Sequence, residues 1–312
     1  MRRHRLLSIA IVMLHTAVGV GVTSLVPSTM IQLMMCTTMR WKVGYAISTI
    51  AIAIGLLDSL PNTSAQKTAT PTSTVPVLFV DEFEGSRLNL KKWYRCYADT
   101  DEKVGCSNNP GKELEWYQPG NVTVSGGLLH LVAREQETKP RFRYTSGLIS
   151  TGGRLKPPLF AFKYGYMEMR AKLPPGKGMW PAFWALPTDG TWPPEIDVVE
   201  GQGETPSTDY LSVHWRDERR EDNEDETKYD TSTDLSTGFH SYGVDWESNI
   251  ITWYFDRHPV KTFSKAALIP HKPMYVIVNL AVGGWISFPD RNTLFPAEML
   301  VDYVRVWQRK PF

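Results

Sequence analysis

Six residues, Glu195-Ile196-Asp197-Val198-Val199-Glu200, hold three carboxylates separated only by β-branched aliphatics. Val and Ile favour a pleated, half-buried strand. Side chains alternate along a strand, so Glu195 and Asp197 share a face. Strict alternation sends Glu200 to the other face, with the core, where an ionised carboxylate is costly. One extra residue at Val198-Val199, a β-bulge, returns Glu200 to the face of Glu195. Two carboxylates on one cleft wall suit cleavage of a glycosidic bond: one attacks the sugar carbon and the other protonates the leaving oxygen. A third acid between them holds the nucleophile and tunes its charge. The same three acids also suit a solvated acidic strand or a divalent-cation site.

The elements that position this strand read as more strands. Pro193-Pro194 before it and Gly201 and Gly203 after it mark the limits of regular pairing. Short apolar runs separated by Gly, Pro and Asn turns fill the chain from Val77 onward, and the only helix candidate is one turn at 264–268. Residues 166–173 alternate, with Met167, Met169, Ala171 and Leu173 on one face. Trp180 and Trp184 flank Pro181, which argues for a cleft-lining strand over a helix face. His214 ends another strand, as a donor to the acids or as an ordinary satisfied polar residue. Asn279 interrupts an apolar strand and requires hydrogen bonds. Gly283-Gly284 presents Trp285 on a loop. Residues 216–230 carry twelve charged side chains in fifteen and read as a solvated, mobile loop at one end of the cleft. Many short strands with such turns predict a sandwich of two curved antiparallel sheets, one concave, with an open groove for a polymer.

Composition is that of a globular chain: 312 residues, 42% hydrophobic and 21% charged. A net charge of +1 gives no case for nucleic acid. The first 65 residues hold five Lys/Arg and one acid, which leaves the remainder slightly acidic. Residues 6–39 contain no Asp, Glu, Lys or Arg, and a second apolar run covers 43–57. We read 1–65 as a signal peptide or membrane anchor, with Met39 as a candidate true start and cleavage near Ala65-Gln66. A Thr/Ser/Pro-rich linker follows over 66–76, then the catalytic domain over 77–312. Export to an oxidising compartment fits a disulfide between Cys96 and Cys106. Nothing calls for a partner chain, so a monomer acting on polysaccharide is expected.

The acidic hexapeptide resembles the bulged signature of glycoside hydrolase family 16. Tyr164-Gly165-Tyr166-Met167-Glu168-Met169-Arg170 and the segments 178–186, 239–246, 279–285 and 299–307 also resemble family blocks, in family order. The resemblance implies a β-jelly-roll sandwich and a retaining endo-glycosidase, similar to bacterial laminarinases that cut β-1,3-glucan. It implies Glu195 as nucleophile, Glu200 as acid/base, Asp197 as support for Glu195, and His214 near the acid. Trp180 and Trp184 match aromatic cleft positions, and Trp116 and Trp285 are expected to add stacking platforms. It implies no cofactor for catalysis, and a structural calcium held in part by Asp302. Two departures bear on substrate. Trp285-Ile286-Ser287-Phe288 replaces a longer Asn-Trp-Pro-Gly type of loop. Thr191-Trp192-Pro193-Pro194 is similar to members acting on bacterial exopolysaccharides, so mixed-linkage glucan and exopolysaccharide remain alternatives to β-1,3-glucan. A glycan-binding module without catalysis is the third, although it has no need of both Glu195 and Glu200.

Overall fold

A computed structural model describes residues 74–96, 105–107, 112–139, 141–154 and 156–312. The apolar leader, the candidate start at Met39 and most of the linker lie outside the described residues. Among the described residues, no helix is long and apolar enough to cross a membrane.

Sixteen strands are formed among the described residues. The first six are β1 (Val77–Asp81), β2 (Glu115–Tyr117), β3 (Val122–Ser125), β4 (Leu128–Lys139), β5 (Phe142–Ser146) and β6 (Leu148–Ser150). The middle of the chain gives β7 (Gly165–Lys172), β8 (Met179–Pro187), β9 (Glu195–Gly201), β10 (Thr208–Arg216) and β11 (Asp222–Asp230). The last five are β12 (His240–Trp246), β13 (Ile251–Phe255), β14 (His258–Phe263), β15 (Met274–Val282) and β16 (Ala297–Trp307). The helical turn expected at 264–268 is a three-residue 3-10 turn, Ala266–Leu268.

Two sheets face each other, as the jelly-roll reading requires. The larger runs β14-β13-β12-β7-β16-β4-β5-β2, with β1 added beside β16 and β3 beside β4. The smaller runs β11-β10-β9-β8-β15-β6. Pairing among the strands is antiparallel except between β2 and β5, which run parallel. The core lies between the sheets. Met167, Met169 and Ala171 of β7 meet Phe183 and Ala185 of β8 and Ile196, Val198 and Val199 of β9 there, all buried. Burying these side chains is the main term holding the layers together, at about 25 cal/mol per Å² of apolar surface.

Residues 216–230 depart from the sequence reading. They form a turn and then β11, the edge strand of the smaller sheet, paired with β10 from Thr208↔Asp230 to Arg216↔Asp222. Its residues alternate between exposed and half-buried along its whole length. The charges occupy one strand's two faces and do not form a loose loop.

The bridge between Cys96 and Cys106 is present. Both cysteines are buried in one cluster with Tyr117, Trp184 and Tyr275, on the face of the smaller sheet opposite the main core.

Candidate active site

The acid strand is bulged where the pattern requires it. On one side Glu200 pairs with Tyr210 and Asp197 with Ser212, so Leu211 alone faces both Val198 and Val199. On the other side Glu200 pairs with Ala182, Val199 with Phe183 and Asp197 with Trp184, leaving Val198 as the extra residue. Val198 and Val199 both enter the core, while Glu195 and Glu200 keep access to the cleft. The three acids share one deep pocket with Trp180, Trp184, Glu113 and Asn279.

Each acid has distinct partners. Trp192 Nε1 donates to Glu195 Oε2 at 2.5 Å. Trp180 Nε1 donates to Glu200 Oε1 at 3.1 Å. Asp197 is almost fully buried, and its Oδ2 accepts from Ser212 Oγ at 2.5 Å and lies 3.1 Å from His214 Nε2. His214 Nδ1 lies 3.5 Å from Glu224 Oε2, so the imidazole spans two carboxylates.

Burial drives Glu195 well above the usual carboxylate range, and the charge of Asp197 and a hydrogen bond with it add to that. The bond from Trp192 works the other way. Glu200 is also pushed well up, first by burial and then by the charge of Asp197, against the indoles of Trp180 and Trp285. Burial lowers His214, but its bond to Asp197 and the charges of Asp197, Glu224 and Glu226 outweigh this and raise it overall. Both glutamates thus hold a proton more readily than a free carboxyl, each opposed by an indole N–H, and two such carboxyls facing one cleft suit acid-assisted double displacement.

The cleft around these acids holds about 890 Å³. Trp180, Trp184, Trp192, Trp285 and Tyr275 line it, with Glu224 and Glu226 from β11. Trp285 meets Trp180 edge-on at 5.8 Å and Tyr210 at 5.1 Å. Gly284 permits this contact: at φ +87° it has no side chain, and a Cβ there would lie 2.4 Å from the Trp180 ring.

Comparison with known proteins bears on what such a cleft belongs to. The family model for glycosyl hydrolases family 16 matches residues 110–305. The chain belongs to glycosyl hydrolases family 16. A second model, for beta-glucan synthesis-associated protein SKN1/KRE6/Sbg1, matches residues 3–193. Two relatives from Rhizobium meliloti (strain 1021) are similar. Endo-1,3-1,4-beta-glycanase EglC is 36% identical, over 83% of this chain and 58% of the relative. Endo-1,3-1,4-beta-glycanase ExsH is 40% identical, over 75% of this chain and 52% of the relative. The chain therefore spans little more than half the length of these relatives. The structure of an endo-beta-1,3-glucanase from Pyrococcus furiosus aligns with a TM-score of 0.63 and 34% identity, covering 75% of this chain and 94% of that one.

Within this family 16 cleft, the structure gathers Glu195, Asp197, Glu200, Trp180, Trp184, His214 and Trp285. Trp184 is mostly buried; its Nε1 donates to Asn279 Oδ1 at 2.7 Å, and Asn279 Nδ2 donates to Tyr117 at 2.9 Å. It forms floor, with little face left for stacking. Trp116 lies apart from these residues, its ring packed on Phe142 at 5.2 Å with Lys139 above it. Asp302 is buried and its Oδ2 accepts from Arg170 at 2.7 Å. A guanidinium already neutralises this carboxylate, and the one group of three metal-capable side chains among the described residues is Glu195, Asp197 and His214. The Asp302 carboxylate is thus engaged by the Arg170 guanidinium.

Sequence reasoning missed Trp192, Glu113, Glu224 and Glu226. The two glutamates of β11 come to the site only through pairing with β10, which sets Glu224 opposite His214 and Glu226 opposite Ser212. Trp192 reads only as part of the substrate-related stretch 191–194, and nothing in its position in the sequence points to its bond with Glu195.

Proposed function

We propose that residues 77–312 are the catalytic domain of a retaining endo-β-glucanase, with Glu195 as nucleophile and Glu200 as acid/base. The observation that carries this is the bulge at Val198, which turns two glutamates five residues apart into one open, aromatic-lined cleft. Glu195 attacks the anomeric carbon as the carboxylate, a form that the N–H of Trp192 favours. Glu200 gives its proton to the leaving oxygen and then takes one from the incoming water. Asp197, fixed by Ser212 and His214, keeps Glu195 in place.

β-1,3-Glucan is the favoured substrate, supported by the similarity to the Pyrococcus furiosus enzyme. Mixed-linkage β-glucan is the second reading, supported by the Rhizobium relatives' names. The Cys96–Cys106 bridge and the apolar start support export, with 1–65 as signal or anchor and 66–76 as linker.

One experiment tests the proposal. The protein is offered β-1,3-glucan, mixed-linkage glucan and an acidic exopolysaccharide, and early products are followed by proton NMR. The expected result is internal cleavage giving β-anomeric ends first in the wild type; Glu195→Ala abolishes this, and azide restores part of the cleavage of an activated β-glycoside there as the inverted, α-configured glycosyl azide. An initial α-anomer would overturn the roles, and binding without cleavage of any polymer would leave a glycan-binding module.

A further inference from the structure

The bulge creates a problem on the side away from the cleft. It disrupts the ladder on both flanks of β9, and main-chain carbonyls turned inward must find donors in a dry core. The structure supplies them from the opposite sheet. Trp253 of β13 is fully buried, and its Nε1 donates to the carbonyl of Asp197 at 2.7 Å. Lys261 of β14 is almost as deeply buried, and its Nζ donates to the carbonyl of Leu211 at 2.8 Å. Leu211 is the residue that faces the two bulged valines.

The ammonium's remaining hydrogens reach the carbonyl of Asp225 at 2.5 Å and Asp225 Oδ1 at 3.0 Å. The same nitrogen sits 4.8 Å from the Trp253 ring. A cation inside a sandwich is costly unless every hydrogen is used, and an apolar side chain of similar volume would avoid that cost. All three hydrogens are used here, and they tie β14 to β10 and β11 directly behind the acids.

We propose that Trp253 and Lys261 are positioning residues for the acid strand: they hold the carbonyls of Asp197 and Leu211 on the two sides of the bulge and so set the directions of Asp197 and Glu200. Neither is a cleft-lining residue, so they act through the backbone and not on substrate. The proposal rests on the double-displacement reading above.

The test uses Trp253→Phe, which removes the N–H and keeps a ring, with Lys261→Met and Lys261→Arg. Steady-state kinetics across pH and thermal melts are recorded for each. Misplacement of a reacting group by about 1 Å costs up to about 100-fold. Trp253→Phe should therefore lower kcat by about 10- to 100-fold with KM nearly unchanged. The basic limb should move to lower pH, because Glu200 turns away from the Asp197 charge that favours its proton. Lys261→Met should follow in the same direction, and Lys261→Arg should recover most of the loss.

Lower melting temperatures with unchanged kcat and unchanged limbs would make these residues mere packing and overturn the proposal. If Trp253→Phe does not fold, the lysine pair decides: equal rates in the Met and Arg variants reject it. A wild-type protein that hydrolyses nothing fails the functional reading instead, and is recognised before any variant is made.

Discussion

Replacing Trp192 by Phe isolates one hydrogen bond to Glu195, the proposed nucleophile. The indole N–H reaches Glu195 Oε2 at 2.5 Å, and Phe keeps an apolar ring without the donor. A hydrogen bond to a charged group contributes about 1.5–3 kcal/mol. Trp192 is 47% exposed, so water replaces part of that bond and about 1 kcal/mol should remain. The sign follows from the charge state. The bond favours ionised Glu195, opposing burial and Asp197, which favour the proton. Its loss therefore raises the proton affinity of Glu195, and the acidic limb of kcat/KM moves to higher pH. One kcal/mol is about fivefold less ionised nucleophile, so kcat/KM on that limb should fall about fivefold while the plateau changes little. A pH series on a soluble β-glucan oligosaccharide measures it. An exposed substitution should cost under about 0.5 kcal/mol of stability, which a thermal melt checks. An acidic limb that stays in place, or moves to lower pH, refutes the assignment of Glu195 as the group titrating there.

Trp180→Phe should move the opposite limb: the bond from Trp180 favours ionised Glu200, so its loss keeps Glu200 protonated to higher pH and shifts the basic limb upward. Trp180→Ala also removes a cleft face and should raise KM more than it lowers kcat, as kinetics on oligosaccharides of graded length will read. Cys96→Ser with Cys106→Ser opens a loop with a sequence separation of 10 and should cost about 2–3 kcal/mol of stability, seen as a lower Tm with kcat little changed.

The acid strand was legible because two requirements conflict in six residues. Three aliphatics demand the core, three acids demand the cleft, and a single extra residue reconciles them. The sandwich was legible for the same reason, repeated strand by strand. β11 was not. Asp, Asn and Glu have weak strand propensity alone, and it is pairing with β10 that makes 222–230 extended. The aromatic residues split unevenly. A sequence shows that Trp116, Trp184 and Trp285 are large and flat, but stacking on sugar and packing on Phe142 use the same face, and only tertiary placement separates them. Asp302 shows the same limit for charge: its ion pair with Arg170 spans β16 and β7, residues 132 apart in sequence.

β11 leaves one row of main-chain donors and acceptors unpaired at the border of the smaller sheet. An open border of this kind recruits further strands from other molecules unless something prevents it. Six charged side chains among its nine residues do so, since any incoming β-strand would have to strip water from them. The core holds the hairpin only through β10, Tyr229 and the bonds of Lys261 to Asp225, whereas the turn between β10 and β11 is exposed, so the hairpin's length can change without repacking the sandwich. Each residue added to or removed from both of its strands would move its tip by about 3.3 Å. The edge that guards the sheet against further strands is thus also the place where the length of the groove is most easily altered.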